Sequence, residues 1–225
     1  MQHIPKVLLR MAVAAFGCTL VGLAQADAFP EREVNLTVNY GAGGNTDVAA
    51  RALAQGMEKP LGKPVVVQNR AGALGTLGVA YVARQKPDGY NLGVVTYSTQ
   101  AIMPHLMDVS YKMGDFEFVS GFGRYRYGIA VLADSPYKRV QDLVAAGKAG
   151  QGLFFGAPSA PNNLAMFELA RVTGARFEQV SYKSGSETVA ALLGGHVAAI
   201  VQNPSDIMPH VKSGKVRLLA SASPM

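Results

Sequence analysis

The residues best placed to do chemistry are the run Gly41-Ala42-Gly43-Gly44 and the Asn45-Thr46-Asp47 that follows it. A stretch this poor in side chains lets backbone N–H groups approach a ligand closely. Asn45 or Thr46 is a helix cap by residue type, and Asp47 falls in the first turn, where a negative charge suits the helix dipole. Together they predict free N–H donors at a helix N-terminus, an arrangement that holds an anion. The same residues also make a plain strand-to-helix turn that needs no ligand.

Other chemistries fit the residues poorly. A dinucleotide fingerprint wants G-x-G-x-x-G and an acidic residue closing the second strand, but that strand ends in Gln68-Asn69. The phosphate-loop motif G-x-x-x-x-G-K-[ST] is missing from the sequence, so a phosphate-loop enzyme is only a remote alternative. His3, His105, His196 and His210 have no metal-ligand spacing, and no serine sits in a G-x-S-x-G elbow. Asp47 and Arg51 are four apart, the spacing of a pair along one helix face. No cofactor, metal or catalytic residue is expected, and the chain does not read as an enzyme.

The glycine run needs a strand before it and a helix after it. Val34, Leu36, Val38 and Tyr40 alternate with polar residues, the period of a strand with one buried face. Val48, Ala52, Leu53 and Met57 are expected to form the inner face of the following helix, ended by Lys59-Pro60 and Gly62. Val65-Val66-Val67 predicts a strand buried in a parallel sheet. Gln68 to Ala73 is a polar loop, Leu77, Ala80, Tyr81 and Arg84 mark a helix, and Lys86-Pro87-Asp88-Gly89 is a turn. Leu92 to Thr96 is a third strand, followed by Tyr97-Ser98-Thr99-Gln100. The polar loops all fall at the carboxyl ends of strands, the edge where open α/β sheets bind ligands.

Residues 108–127 are rich in aromatics, glycines and charges with weak periodicity, which predicts an irregular crossing. Strands are then expected at 128–133, 153–155, 180–182, 197–201 and 216–220. Helices between them carry Leu143, Leu164 to Val172 closed by Gly174, Val189 to Leu193, and Ile207 to Val211. Two α/β lobes with polar strand ends suggest a ligand held between them.

Length and composition agree with this. The chain has 225 residues, 49 % hydrophobic and 16 % charged, enough to bury a core. Lys6 and Arg10 precede the apolar run Met11 to Leu23 and the A-x-A site Ala24-Gln25-Ala26, the pattern of a secretory signal peptide too short to span a membrane. Cleavage after Ala26 leaves 199 of the 225 residues, with a charge of +4 in place of +6 and no cysteine, since Cys18 is the only one. A lipoprotein reading would need Cys18, and Ala15 stands where a lipobox wants Leu. The basic residues are scattered, unlike a nucleic-acid arm, and a modest positive charge on an exported chain suits small anions.

Several stretches resemble one family, the periplasmic solute-binding receptors of the Bug/TctC type that serve tripartite tricarboxylate transporters. The residues that carry the resemblance are LTVNYGAGGNTDVAARALA (36–54), LGKPVVVQNRAGALGTLG (61–78), PDGYNLGVV (87–95), DLVAAGKAGQGLFFG (142–156), VSYKS (180–184), ALLGGHVAAI (191–200) and PHVKSGKVRLLA (209–220). The resemblance implies an α/β, two-lobed type II periplasmic-binding-protein fold whose ligands are usually carboxylates gripped by two loops. It implies a first loop at Tyr40 to Asp47, including Ala42, Gly43 and Gly44, and a second loop after Leu153 to Gly156, with Ser159 and Asn162. Ser98 and Gln202 match positions that help line the cleft.

The departures from the family pattern carry expectations of their own. Asn39-Tyr40-Gly41-Ala42-Gly43-Gly44 stands where Pro-Phe-Pro-Ala-Gly-Gly is usual, so the loop should be looser, with an added hydroxyl on its aromatic wall. Gln68, Ala71 and Ser184 replace a common Glu, Pro and Gly, and the second loop looks shortened. Gln202 replaces a frequent Asp that in relatives binding amino acids can meet an ammonium group. A neutral Gln argues for a plain carboxylate or a polar neutral ligand. Family members continue well past the stretch matching 220–225, so the C-terminal part of the first lobe is expected to be missing and its core weakened. The expected divisions are signal peptide 1–26, first lobe 27–127, second lobe 128–217 and the start of a return crossing at 218–225. The expected role is an extracytoplasmic receptor, monomeric, presenting a small organic acid to membrane subunits of a transporter. The alternatives are a ligand-sensing accessory of a membrane sensor kinase or a non-functional truncated copy.

Overall fold

Two β-sheets, each with its own helices and core, make up the described part of the chain. The computed structural model describes residues 29–150 and 152–221, and from Arg32 onward these belong to one compact unit. The signal peptide expected at 1–26, with Cys18, lies outside the described residues.

The first sheet holds β1 (Val34–Val38), β2 (Val65–Asn69) and β3 (Asn91–Val94), parallel throughout and ordered β2-β1-β3. The expected alternation in β1 is present: Val34, Leu36, Val38 and, beyond the strand, Tyr40 are buried. Thr37 and Asn39 are buried as well, because the central strand of a covered parallel sheet has no solvent face. β2 differs from expectation. It is an edge strand, and Val66 stays 36 % exposed although Val65 is buried.

Helix α1 (Asn45–Leu61) follows the glycine run and continues through Pro60, ending at Gly62 in the left-handed region, φ 65°. Its inner face also differs from expectation. Ala50 and Ala54 face the core with Met57 beside them, whereas Val48 is 59 % exposed and Ala52 is exposed. Neither Asn45 nor Thr46 is the cap; Gly44 occupies that position in an extended conformation. Helix α2 (Thr76–Ala83) packs Val79 and Ala80 against Tyr111. The residues after β3 form a π-helical turn, Ser98–Ile102, that runs into α3 (Met103–Leu106), where a loop was expected. The crossing is irregular as predicted, with one 3-10 turn at Met113–Asp115.

The second sheet holds β4 (Gly128–Leu132), β5 (Leu153–Ala157), β6 (Phe177–Ser181), β7 (Ala199–Gln202) and β8 (Val216–Ser221) in the order β6-β5-β7-β4-β8. β5 is parallel to β6 and β7, while β4 runs antiparallel to β7 and β8. Its helices are α4 (Val140–Ala149), α5 (Ala160–Thr173), α6 (Gly185–Leu193) and α7 (Pro204–Lys212). Gly174 closes α5 at φ 72°, as expected from its position. The core is Val131, Leu143, Phe155, Met166 and Val201 on one side of the sheet and Ala130, Leu192, Ile200 and Ile207 on the other. Residues 218–221, expected to begin a return crossing, are still in β8, with Ser221 opposite Gly128.

Candidate functional site

The carboxyl ends of β1, β3, β5 and β7 meet where the two sheets face each other, and the side chains gathered there are polar and buried. Tyr40 leaves the end of β1 and is 8 % exposed, with its hydroxyl 3.3 Å from Thr96 Oγ1 beyond β3. Burial drives its pKa up, against the hydroxyls of Thr96, Ser98 and Ser159 and the amide of Asn39 gathered around it. Three of the expected site residues, Tyr40, Ser98 and Ser159, are thus brought together from both sheets. Gly75 seats the ring: its φ is 95°, and a Cβ there would lie 2.9 Å from both Asn39 Nδ2 and the Tyr40 ring. Tyr40 also walls a cavity of about 260 Å³ with Gly72, Gly75, Pro158, Tyr182 and Lys183.

The first loop is engaged differently from the sequence expectation. Gly41 N–H donates to Lys183 O at 2.8 Å, Ser186 Oγ donates to Ala42 O at 3.1 Å, and Asn45 Nδ2 donates to Ser205 Oγ. Gly43 N–H donates to Asp47 Oδ2 at 2.9 Å. Two of the N–H groups expected to be free for an anion are therefore taken, one by the opposite lobe and one by the chain itself. A Cβ on Gly44 would lie 3.1 Å from Gly185 N, so the loop lies directly on the start of α6.

Asp47, expected among the ligand contacts, holds this loop in place. Its carboxylate accepts from Gly43 N–H, from Arg51 Nε at 3.0 Å and from Asn69 Nδ2 at 2.8 Å. Burial pushes the carboxyl up, but these three donors outweigh it and hold it below the ordinary carboxylate range.

The second loop starts α5. Ser159 Oγ donates to Asn162 Oδ1, and Asn162 Nδ2 donates to Val201 O, which ties α5 to the end of β7. Gln202, the last residue of β7, is completely buried, and neither amide atom has a hydrogen-bond partner. The same holds for both amide atoms of Asn39 and Gln100, for Ser98 Oγ, Asn163 Oδ1 and Asn203 Oδ1, and for Asp206 Oδ2. A buried polar group left unpaired costs about 1–3 kcal/mol, so a cluster of them marks a place a bound molecule would complete.

No lysine, arginine or histidine is buried among the described residues. Positive potential comes instead from helix N-termini. The start of α1 meets the starts of α6 and α7 through Ser186 and Ser205, and the start of α5 meets β7 through Asn162. Tyr125 and Tyr127, stacked at 6.1 Å between ring centroids, close the side formed by the crossing. Tyr125 Oη lies 2.6 Å from Thr46 Oγ1, and burial pushes its pKa up to about 12. Neither tyrosine carries a periodic signal that sequence reasoning could use. Asn39, Asn163 and Asn203 each adjoin a residue the sequence singled out and Gln100 lies in the polar loop expected after β3, but Asp206 reads as an ordinary position of a short helix.

Among the described residues no three His, Cys, Asp or Glu side chains cluster to hold a metal, and no helix is long and apolar enough to cross a membrane. The model of the tripartite tricarboxylate transporter family receptor matches residues 49–224. The chain belongs to this receptor family.

Relatives and solved structures agree with the assignment. The UPF0065 protein in gbd 5'region of Cupriavidus necator is 37 % identical over 225 residues, covering 98 % of this chain and 68 % of the relative. A structure described as a periplasmic transporter superposes with a TM-score of 0.81 at 32 % identity, covering 88 % of this chain and 68 % of that one. MatC from Rhodopseudomonas palustris with bound malate does so with a TM-score of 0.81 at 25 % identity, covering 87 % and 68 %. The chain thus spans about two thirds of the length of this relative and of these two structures. Membership in a solute-binding receptor family fits a cleft whose residues supply hydrogen bonds and helix ends.

Proposed function

We propose that this chain is an extracytoplasmic receptor that captures a small carboxylate between its two lobes and hands it, as a monomer, to the membrane subunits of a tripartite tricarboxylate transporter. The observation that carries the reading is the set of buried, unpartnered polar atoms on Asn39, Ser98 and Gln202 beside the strand ends of both sheets and on Asn163 at the start of α5. A carboxylate with a hydroxyl or a second acid group offers acceptors and donors to such a set, and MatC, a structural neighbour, holds malate. The converging helix N-termini supply the favourable potential that no buried cation supplies. Closing on the ligand shifts the population toward the form a transporter reads, and no bond is made or broken.

The signal-peptide pattern of residues 1–26 supports export to the periplasm. The test is a thermal-shift panel of mono-, di- and tricarboxylates on the exported chain, followed by calorimetry on any that raise Tm. Turnover of a bound acid into a new product would refute the receptor reading.

A further inference from the structure

One group in the cleft has a character the neutral amides lack. Asp206, in the first turn of α7, lies where the two lobes touch, beside Ser205 and the Asn45 it holds. Its Oδ2 is closed off from solvent and has no hydrogen-bond partner. A Cβ built on Gly185 would lie 2.3 Å from that oxygen and 3.1 Å from Gln202 Oε1, so both oxygens face one spot at the start of α6. Gln202 is completely buried with its amide unpartnered, and Asn203 Oδ1, also unpartnered, follows it directly in the chain. Asp206 lines a cavity of about 510 Å³ together with Gly43 and Asn45 of the first loop and Ser186 of α6.

No basic side chain of the described residues forms an ion pair with Asp206. From α1, Arg51 is paired to Asp47; from α6, Glu187 accepts the Lys183 N–H; from α7 itself, His210 borders the same cavity; from the crossing, Tyr125 feels the Asp206 charge. Burial pushes the Asp206 carboxyl up to about 6 against the lowering effect of the Asn45 backbone N–H, which leaves it mostly ionised in a neutral medium and its Oδ2 without a donor. A buried carboxylate oxygen with no donor is unfavourable until a cation or a proton reaches it.

Building on the receptor reading above, we infer that Asp206, with the amide oxygen of Gln202, receives a positively charged nitrogen of the ligand, so that the preferred ligand is an amino-bearing carboxylate. Position 202 itself carries no charge; the carboxylate stands one helical turn further on. The ammonium donates to oxygens that otherwise lack donors, while the ligand's acid group lies toward the helix N-termini.

Calorimetry on the chain at pH 8 with matched pairs tests this: succinate against aspartate, glutarate against glutamate, propionate against alanine. The amino member of at least one pair is expected to bind about tenfold or more tightly than its plain counterpart. The preference should fade below pH 6, as Asp206 takes up a proton, and the ratio of amino to plain affinity should fall to about one in Asp206→Asn. Equal or weaker binding of every amino member at pH 8 overturns the inference and leaves the carboxylate-receptor reading standing. A preference that persists in a cooperatively melting Asp206→Asn protein also overturns it. Should that variant not fold, the wild-type comparison at pH 8 and pH 5 decides alone. If no acid of either series binds, the receptor reading itself falls, and this inference with it.

Discussion

The loop after β1 and the strand ends that face it are both polar and both lie where the lobes meet, yet they are engaged in different ways. In the loop, backbone groups already have partners: Gly41 N–H and Ala42 O bind the opposite lobe, and Gly43 N–H binds Asp47. At the strand ends and the start of α5, the side chains of Asn39, Ser98, Gln202 and Asn163 are buried with polar atoms unmatched. The difference separates two tasks. Main-chain contacts of the glycine run hold the lobes together, and the unmatched side-chain amides and hydroxyls are the groups that the proposed receptor uses for recognition.

Wedging the lobes apart should have the largest effect. Gly44 has an extended backbone that any residue adopts, but its Cβ would press on Gly185 N at 3.1 Å and Ser184 Cβ at 3.5 Å. Gly44→Val is expected to weaken ligand binding by about a hundredfold while the chain still melts cooperatively, and small-angle scattering should report a more open particle. Unchanged affinity would remove the loop from the closing contact.

Filling the recognition side with an apolar group should split stability from binding. Gln202→Met removes two unpartnered amide atoms, so the ligand-free protein is expected to gain about 1–2 kcal/mol, read by chemical denaturation. Ligand affinity should fall about tenfold in the same protein. A loss of stability would mean that the Gln202 amide has a structural partner.

On the loop side the sign is reversed. Asp47→Ala strips acceptors from Gly43, Arg51 and Asn69 and is expected to cost about 1–3 kcal/mol at pH 7. Because the Asp47 carboxyl is held below its ordinary value of 3.8, its contribution is present above that pH and is lost as pH falls through the folded-state pKa. Denaturation curves of the wild type and the variant should therefore converge in strong acid.

The smallest effect is expected at Asp206. Its carboxyl is raised from 3.8 to about 6, so the wild type loses stability as pH rises across that window. Without ligand, Asp206→Asn should melt about 2–4 °C above the wild type at pH 8 and level with it near pH 3.5. A variant that melts lower at pH 8 would show that the charge is matched in the free protein.

The sequence made the framework legible because its signals are local. The alternation of Val34, Leu36 and Val38, the glycine run and the closing Gly174 each act within a few residues and lie where expected. The inner face of α1 departs from its hydrophobic pattern because Val48 borders the larger cavity, not the sheet, and Val66 is exposed because β2 is an edge. Neither fact is encoded in periodicity. The site was half legible. Tyr40, Ser98, Ser159 and Gln202 stand at positions that the family resemblance implies line the cleft, but the burial of Gln100, Asn163 and Asp206 depends on how two distant sheets meet. The engagement of Gly41 and Gly43 depends on the same meeting, so a run that looked like an open anion site holds the lobes instead.

The most direct measurement is the thermal-shift panel of mono-, di- and tricarboxylates, with and without an amino group, on the wild type and on Gly44→Val. The account predicts that at least one small acid raises the wild-type Tm by several degrees and leaves the variant unmoved. A panel that shifts neither protein, or shifts both alike, would contradict a ligand site closed between the lobes.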